Sequence, residues 1–129
     1  MKIRSGEISL RVSDLERSMK FYGDAFGLER HPRMEHSDGS WAKLRNEQLT
    51  LCLFRSQNAG TGKRALRDIG RTPEMTMDIM VDDLDELVRR LQAAGATVAP
   101  IRQDREWRAS LFTDLDGIAW EIIEDRGNT

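Results

Sequence analysis

Three carboxylates, one guanidinium and one thiol stand at alternating positions of strand-like runs, where a side chain can face a ligand instead of the core. Glu7 and Arg11 belong to "EISLRVS", Cys52 to "LTLCLF", Asp78 to "MTMDIMV" and Glu121 to "AWEIIE". A carboxylate so placed can act as a general base, or it can simply pair with Arg11 or with water. Both readings stay open for Glu7 and Glu121. Cys52 can be a nucleophile or a small buried apolar residue, and the second is the simpler expectation, because no histidine is positioned to activate it. His31 and His36 match no zinc spacing and are expected at a rim or on the surface. Trp41 and Trp107 open the third strand of each half of the chain and serve either packing or ligand contact. With Arg11, Cys52, Phe54, Thr76, Asp78 and Met80 they make up the candidate ligand-binding set.

The elements that position these residues are written twice. In "EISLRVS", Ile8, Leu10 and Val12 alternate with Glu7, Ser9 and Arg11, the pattern of a half-buried strand. The next stretch, "SDLERSMKFYGDAFG", offers Ser13 and Glu16 as a capping box, apolar residues at helical spacing, and Gly27 as a left-handed stop. The second half repeats this. Met77, Ile79 and Val81 alternate with Thr76, Asp78 and Met80, a helical stripe of Leu84, Leu87, Val88 and Leu91 follows, and Gly95 ends it. The run "DDLDE" at 82–86 is a helix start with favourable dipole placement, not an acidic binding site. Asp38-Gly39, Asn46-Glu47 and Asp116-Gly117 mark hairpin turns, so each half reads as strand, helix, three strands.

The duplication has an exact register. Glu7 and Thr76, Val12 and Val81, Asp14 and Asp83, and Cys52 and Glu121 are each 69 residues apart. The expected organisation is a single domain over residues 1–129, with module one at about 5–55, a linker at about 56–73 and module two at about 74–125. The linker contains "GTGK", which lacks the glycine and the Ser or Thr of a phosphate loop, and its length suggests mobility or function. The apolar sets Ile8/Leu10/Val12, Leu49/Leu51/Leu53, Met77/Ile79/Val81 and Trp120/Ile122 should face the helices. The opposite face is then too polar for a second core and reads as a wet concavity or cleft.

Composition narrows the partners. The chain has 129 residues, a formal charge of −2 with both signs interspersed, and one cysteine. No basic stripe points to nucleic acid, no apolar run approaches the ~20 residues that span a bilayer, and no intrachain disulfide framework is available. The first strand begins within a few residues of Met1, leaving no room for a leader, so a soluble cytoplasmic protein with a small-molecule partner is expected.

The ordered motifs "EISLRVSDLERSMKFYGDAFGLE", "MTMDIMVDDLDELVRRLQAAGATV" and "FTDLDGIAWEIIE" resemble the vicinal oxygen chelate superfamily of glyoxalases, bleomycin-resistance proteins and extradiol dioxygenases over roughly residues 6–124. The resemblance implies an α+β fold of tandem βαβββ modules whose eight strands curl into a cup, and a homodimer. In metal-dependent members it implies a divalent cation held at positions that here are Glu7, Cys52, Thr76 and Glu121. Glu121 is the residue such members carry. Thr76 replaces a histidine and Glu7 replaces a histidine or glutamine, so the ligand set is altered, and its carboxylates favour a hard cation. The expected function is therefore a metal-free binding or sequestering protein of the resistance type. The alternative is a lyase, isomerase or dioxygenase that keeps a divalent ion (Mg, Mn, Ni, Zn or Fe) through Glu121 and Glu7 and acts on a vicinal-oxygen substrate, with Glu121 and Glu7 as its catalytic residues.

Overall fold

A computed structural model of the chain describes residues 1–35, 39–57 and 77–125. Thr76, His36, Asp38 and most of the expected linker lie outside the described residues. The chain divides into two compact units, Met1–Thr61 and Gly62–Thr129, and each repeats the same grammar.

In the first unit, β1 (Ile8–Val12) buries Leu10 and Val12 and turns Ser9 and Arg11 outward, as its alternation predicts. The helix α1 (Leu15–Phe26) starts from Asp14, whose carboxylate accepts the Arg17 amide at 3.0 Å. Ser13, expected as the cap, stands one residue further out, because Asp14 is the last extended residue before the helix and its carboxylate reaches the free amide directly. The helix buries Leu15, Met19, Tyr22 and Ala25 and ends at Gly27, whose φ of 69° is the left-handed conformation that only glycine adopts without steric cost. Tyr22 packs edge-on against Phe21 and Phe26 at centroid distances of 4.9 and 5.3 Å, within the range where such pairs attract.

The chain returns as β2 (Glu29–Glu35), β3 (Trp41–Arg45) and β4 (Thr50–Arg55), giving the order β1-β4-β3-β2 with only the β1–β4 pair parallel. The β3–β4 turn falls at Asn46 as its sequence suggests: the Asn46 side-chain oxygen accepts the amides of Gln48 and Leu49 at 2.9 and 2.7 Å. Helix α1 covers β3 and β4, and Leu44, Leu51 and Leu53 beneath it are fully buried. Each such leucine contributes about 1.5–3 kcal/mol by leaving water.

The second unit has β5 (Asp78–Val81), α2 (Leu84–Ala93), the short pieces β6 (Thr97–Val98) and β7 (Arg102–Gln103), then β8 (Arg108–Thr113) and β9 (Ala119–Glu124). Its order, β5-β9-β8-β6 with β7 also on β8, is that of the first unit. The one departure from three strands after the helix is this divided edge strand. The Ala99 amide still reaches the Leu111 carbonyl at 2.8 Å, but Pro100 has no amide hydrogen and the ladder lapses there. Asp83 caps α2 as Asp14 caps α1, accepting the Glu86 amide at 3.0 Å. Beyond the helix, the Gly95 and Ala96 amides return to the Gln92 and Leu91 carbonyls at 3.1 and 2.9 Å, a Schellman closure with Gly95 at φ 95°.

Phe112 and Trp120 stack at 6.0 Å on the helix side of this sheet, both fully buried. The helix-facing set of β5 is less covered than its pattern suggests. Met77, Ile79 and Val81 are only half-buried, because α2 packs chiefly on β6 and β9. Among the described residues no helix is long and apolar enough to cross a membrane.

Candidate functional site

In the first unit the face turned away from α1 carries two rows of side chains across β1, β4 and β3. Ser9, Cys52 and Lys43 are ladder neighbours, and two residues further along Arg11, Phe54 and Trp41 are. Glu7 stands immediately before β1, and its Oε2 is 2.8 Å from Lys43 Nζ. Glu7 thus finds its partner in Lys43 on β3 and not in Arg11, which has no hydrogen bond or ion pair among the described residues. The Lys43 ammonium also lies 5.8 Å from the centre of the Trp41 ring, within cation–π reach. The carboxylate of Glu7 holds the Lys43 pKa above its ordinary value by a direct hydrogen bond, so the ammonium is kept charged.

Cys52 lies in the middle of this face and is 1% exposed. Burial pushes its thiol pKa up, the nearby Glu7 carboxylate adds to the push, and Lys43 only partly opposes it. A protonated thiol is a poor nucleophile and a poor metal ligand. The simpler expectation for Cys52, a small buried residue, agrees with this surrounding.

In the second unit the equivalent rows are Asp78, Glu121 and Leu111, then Met80, Ile123 and Ala109. Asp78 and Glu121 are direct neighbours on parallel strands, so two like charges stand side by side where the first unit has Ser9 and Cys52. Asp78 and Met80 are exposed and Glu121 is half-buried. Trp107 does not open a strand. It sits just before β8 in a turn, where Asp104 accepts its amide at 3.0 Å and the Arg102 guanidinium lies 5.7 Å from its ring centre. Trp41 does open β3, half-buried beside Phe54.

Sequence reasoning overlooked Lys43. The signal is in the sequence, since "WAKLR" alternates Trp41 and Lys43 against the buried Ala42 and Leu44, which puts Lys43 on the polar face. It also overlooked Asp114, a buried carboxylate that shapes the β8–β9 turn by accepting the Asp116 and Ile118 amides at 2.9 Å. A hollow of about 260 Å³ lined by Met19, Lys20, Gly23, Leu28 and Leu44 opens on the helix side of the first sheet, away from this face.

The residues present do not suit a divalent cation at the positions implied by the resemblance. Glu7 is neutralised by an ammonium, Cys52 is held protonated, and among the described residues no group of three His, Cys, Asp or Glu side chains could hold a metal ion. Of that ligand set, Glu121 alone keeps its expected type, and its carboxylate has no hydrogen bond or ion pair among the described residues.

Comparison with known proteins agrees with the architecture. The family model described as Glyoxalase/Bleomycin resistance protein/Dioxygenase superfamily matches residues 4–122, a span that takes in most of each unit. The chain therefore belongs to this superfamily, a class of paired βαβββ modules. A genomically encoded fosfomycin resistance protein from Listeria monocytogenes has the same fold, with a TM-score of 0.75 at 19% identity over 97% of this chain and 95% of that one. A glyoxylase/bleomycin resistance protein/dioxygenase domain from Frankia sp. EAN1pec gives a TM-score of 0.70 at 22% identity, covering 100% of this chain and 96% of that one. A protein from S. aureus gives 0.67 at 23% identity, covering 95% and 98% respectively.

Proposed function

We propose that this protein is a binding or sequestering member of its superfamily that holds an amphipathic small molecule without a divalent cation. The observation that carries the reading is the 2.8 Å ion pair between Glu7 and Lys43, which puts a permanent cation of the protein's own beside Cys52. A metal ion there would face an ammonium and a thiol that resists deprotonation, both unfavourable to it. The aromatic pair Trp41 and Phe54 on the same face supplies apolar surface of the kind that ligand sites use. The resistance-type reading also draws on the fold shared with the fosfomycin resistance proteins. A homodimer belongs to this proposal, since the sheets have edge strands that need cover; sedimentation equilibrium would measure it.

The direct test is the metal content of the purified protein by inductively coupled plasma mass spectrometry, before and after incubation with Mn, Mg, Ni, Zn and Fe(II), on wild type and Glu121→Gln. No metal in any condition, together with thermal shifts from aromatic ligands that survive EDTA, supports the binding reading. Near-stoichiometric metal that disappears in Glu121→Gln overturns it in favour of a lyase, isomerase or dioxygenase with an altered ligand set.

A further inference from the structure

The surroundings of the Glu7–Lys43 pair suggest what kind of molecule this face takes. The Lys43 side chain keeps 24% of its surface and that of Glu7 keeps 37%, so the pair is open to solvent on one side. Next to it the Trp41 and Phe54 side chains form an aromatic strip across β3 and β4, and Arg11 stands at the β1 end of that strip. Two cations therefore border the strip against one carboxylate. Arg11 has no hydrogen bond or ion pair among the described residues, and a partly exposed ion pair such as Glu7–Lys43 is weakly held and readily exchanged.

We propose that this face of the first unit binds an aromatic carboxylate, whose ring lies on Trp41 and Phe54 and whose anion displaces Glu7 from the Lys43 ammonium. Glu7 is then a built-in counter-ion that holds Lys43 ready and competes with the ligand. An aromatic cation is disfavoured by Lys43 and Arg11 alike, and a neutral ring gains the strip without the charge. The inference rests on the metal-free binding reading and adds the ligand class to it.

Its distinctive consequence is that the two halves of one ion pair act in opposite directions. The experiment is calorimetric titration of 1-naphthoate, with 1-naphthamide as the neutral isostere, into wild type, Glu7→Gln and Lys43→Gln at low ionic strength with EDTA present. Naphthoate is expected to bind wild type. It should bind Glu7→Gln about 3- to 10-fold more tightly and Lys43→Gln at least about tenfold more weakly, in line with the strength of charge-assisted contacts, while naphthamide binds weakly throughout. A structural role for the pair predicts the same direction of change in both variants. Urea midpoints establish that each variant folds, and the gain in Glu7→Gln is a readout that unfolding of Lys43→Gln cannot imitate. Equal binding of naphthoate and naphthamide, or a loss in both variants, overturns the aromatic-carboxylate site while leaving metal-free binding in place. Absence of naphthoate binding to wild type overturns the site as well. Binding that appears only when Mn replaces EDTA overturns the metal-free reading itself.

Discussion

At the scale of single residues, the chemistry of this protein turns on how neighbours set charge. Cys52 is a thiol that burial and the Glu7 carboxylate both hold protonated, with Lys43 opposing. Iodoacetamide labelling of Cys52 near neutral pH should accordingly be slower in the folded protein than in denaturant by at least about tenfold. Glu7→Gln should speed labelling of the folded form and Lys43→Gln should slow it, because the first removes a charge that raises the thiol pKa and the second removes one that lowers it. Equal labelling rates in folded and denatured protein would remove the argument that Cys52 is inert. Lys43 shows why residue type and strand register have to be read together. Its type was plain in the sequence, yet its place beside Glu7 depends on which strands pair, since β3 reaches the first strand only through β4.

At the scale of elements, the same devices recur in both units. Asp14 and Asp83 each satisfy an amide that the first turn leaves free, at 3.0 Å in both cases. Replacing either by alanine should cost about 1 kcal/mol of stability, measured by urea denaturation, the usual value for a lost N-cap. A negligible change at both would mean that packing alone fixes the helix starts. The second unit also ties its helix to its sheet through an arginine clamp. Arg108 on β8 bonds both oxygens of Asp85 on α2 at 3.1 and 3.2 Å and Glu124 on β9 at 3.0 Å, and Glu124 also accepts the Leu84 amide at 3.1 Å. Arg108 holds the Asp85 pKa below its ordinary value. A depressed carboxylate pKa stabilises the fold above the unfolded pKa, and that contribution is lost as pH falls through the folded one. The destabilisation caused by Arg108→Met should therefore be full at neutral pH and shrink below about pH 4. A difference in urea midpoint that stays constant down to about pH 3 would mean that Arg108 acts through its stem and not its charge.

At the scale of the whole molecule, duplication has kept the frame and changed the chemistry. Positions that carry Ser9, Cys52 and Lys43 in one unit carry Asp78, Glu121 and Leu111 in the other. The first face is cationic beyond its single carboxylate, and the second presents two carboxylates side by side. A resident cation bound 100-fold below its working concentration would add about 2.7 kcal/mol of stability, which is several degrees in the melting temperature of a chain this size. Wild type should instead melt within about 1 °C of the same temperature in EDTA and in Mn, measured by differential scanning calorimetry. A rise of several degrees in Mn would restore a metal to the protein's function.

The sequence alone determined the repeat, because alternation in strands, helical stripes and turn residues are local signals that each segment carries for itself. The shift of 69 residues that pairs Asp14 with Asp83 and Cys52 with Glu121 needed no coordinates, and neither did the helix stops at Gly27 and Gly95. Only the tertiary structure decided which charge meets which. The choice of Lys43 over Arg11 as the partner of Glu7, the burial of Cys52 on a face that reads as polar, and the adjacency of Asp78 and Glu121 all arise between strands distant in sequence. Such contacts are set by ladder register and by what covers each face, and neither is written within a single run of residues.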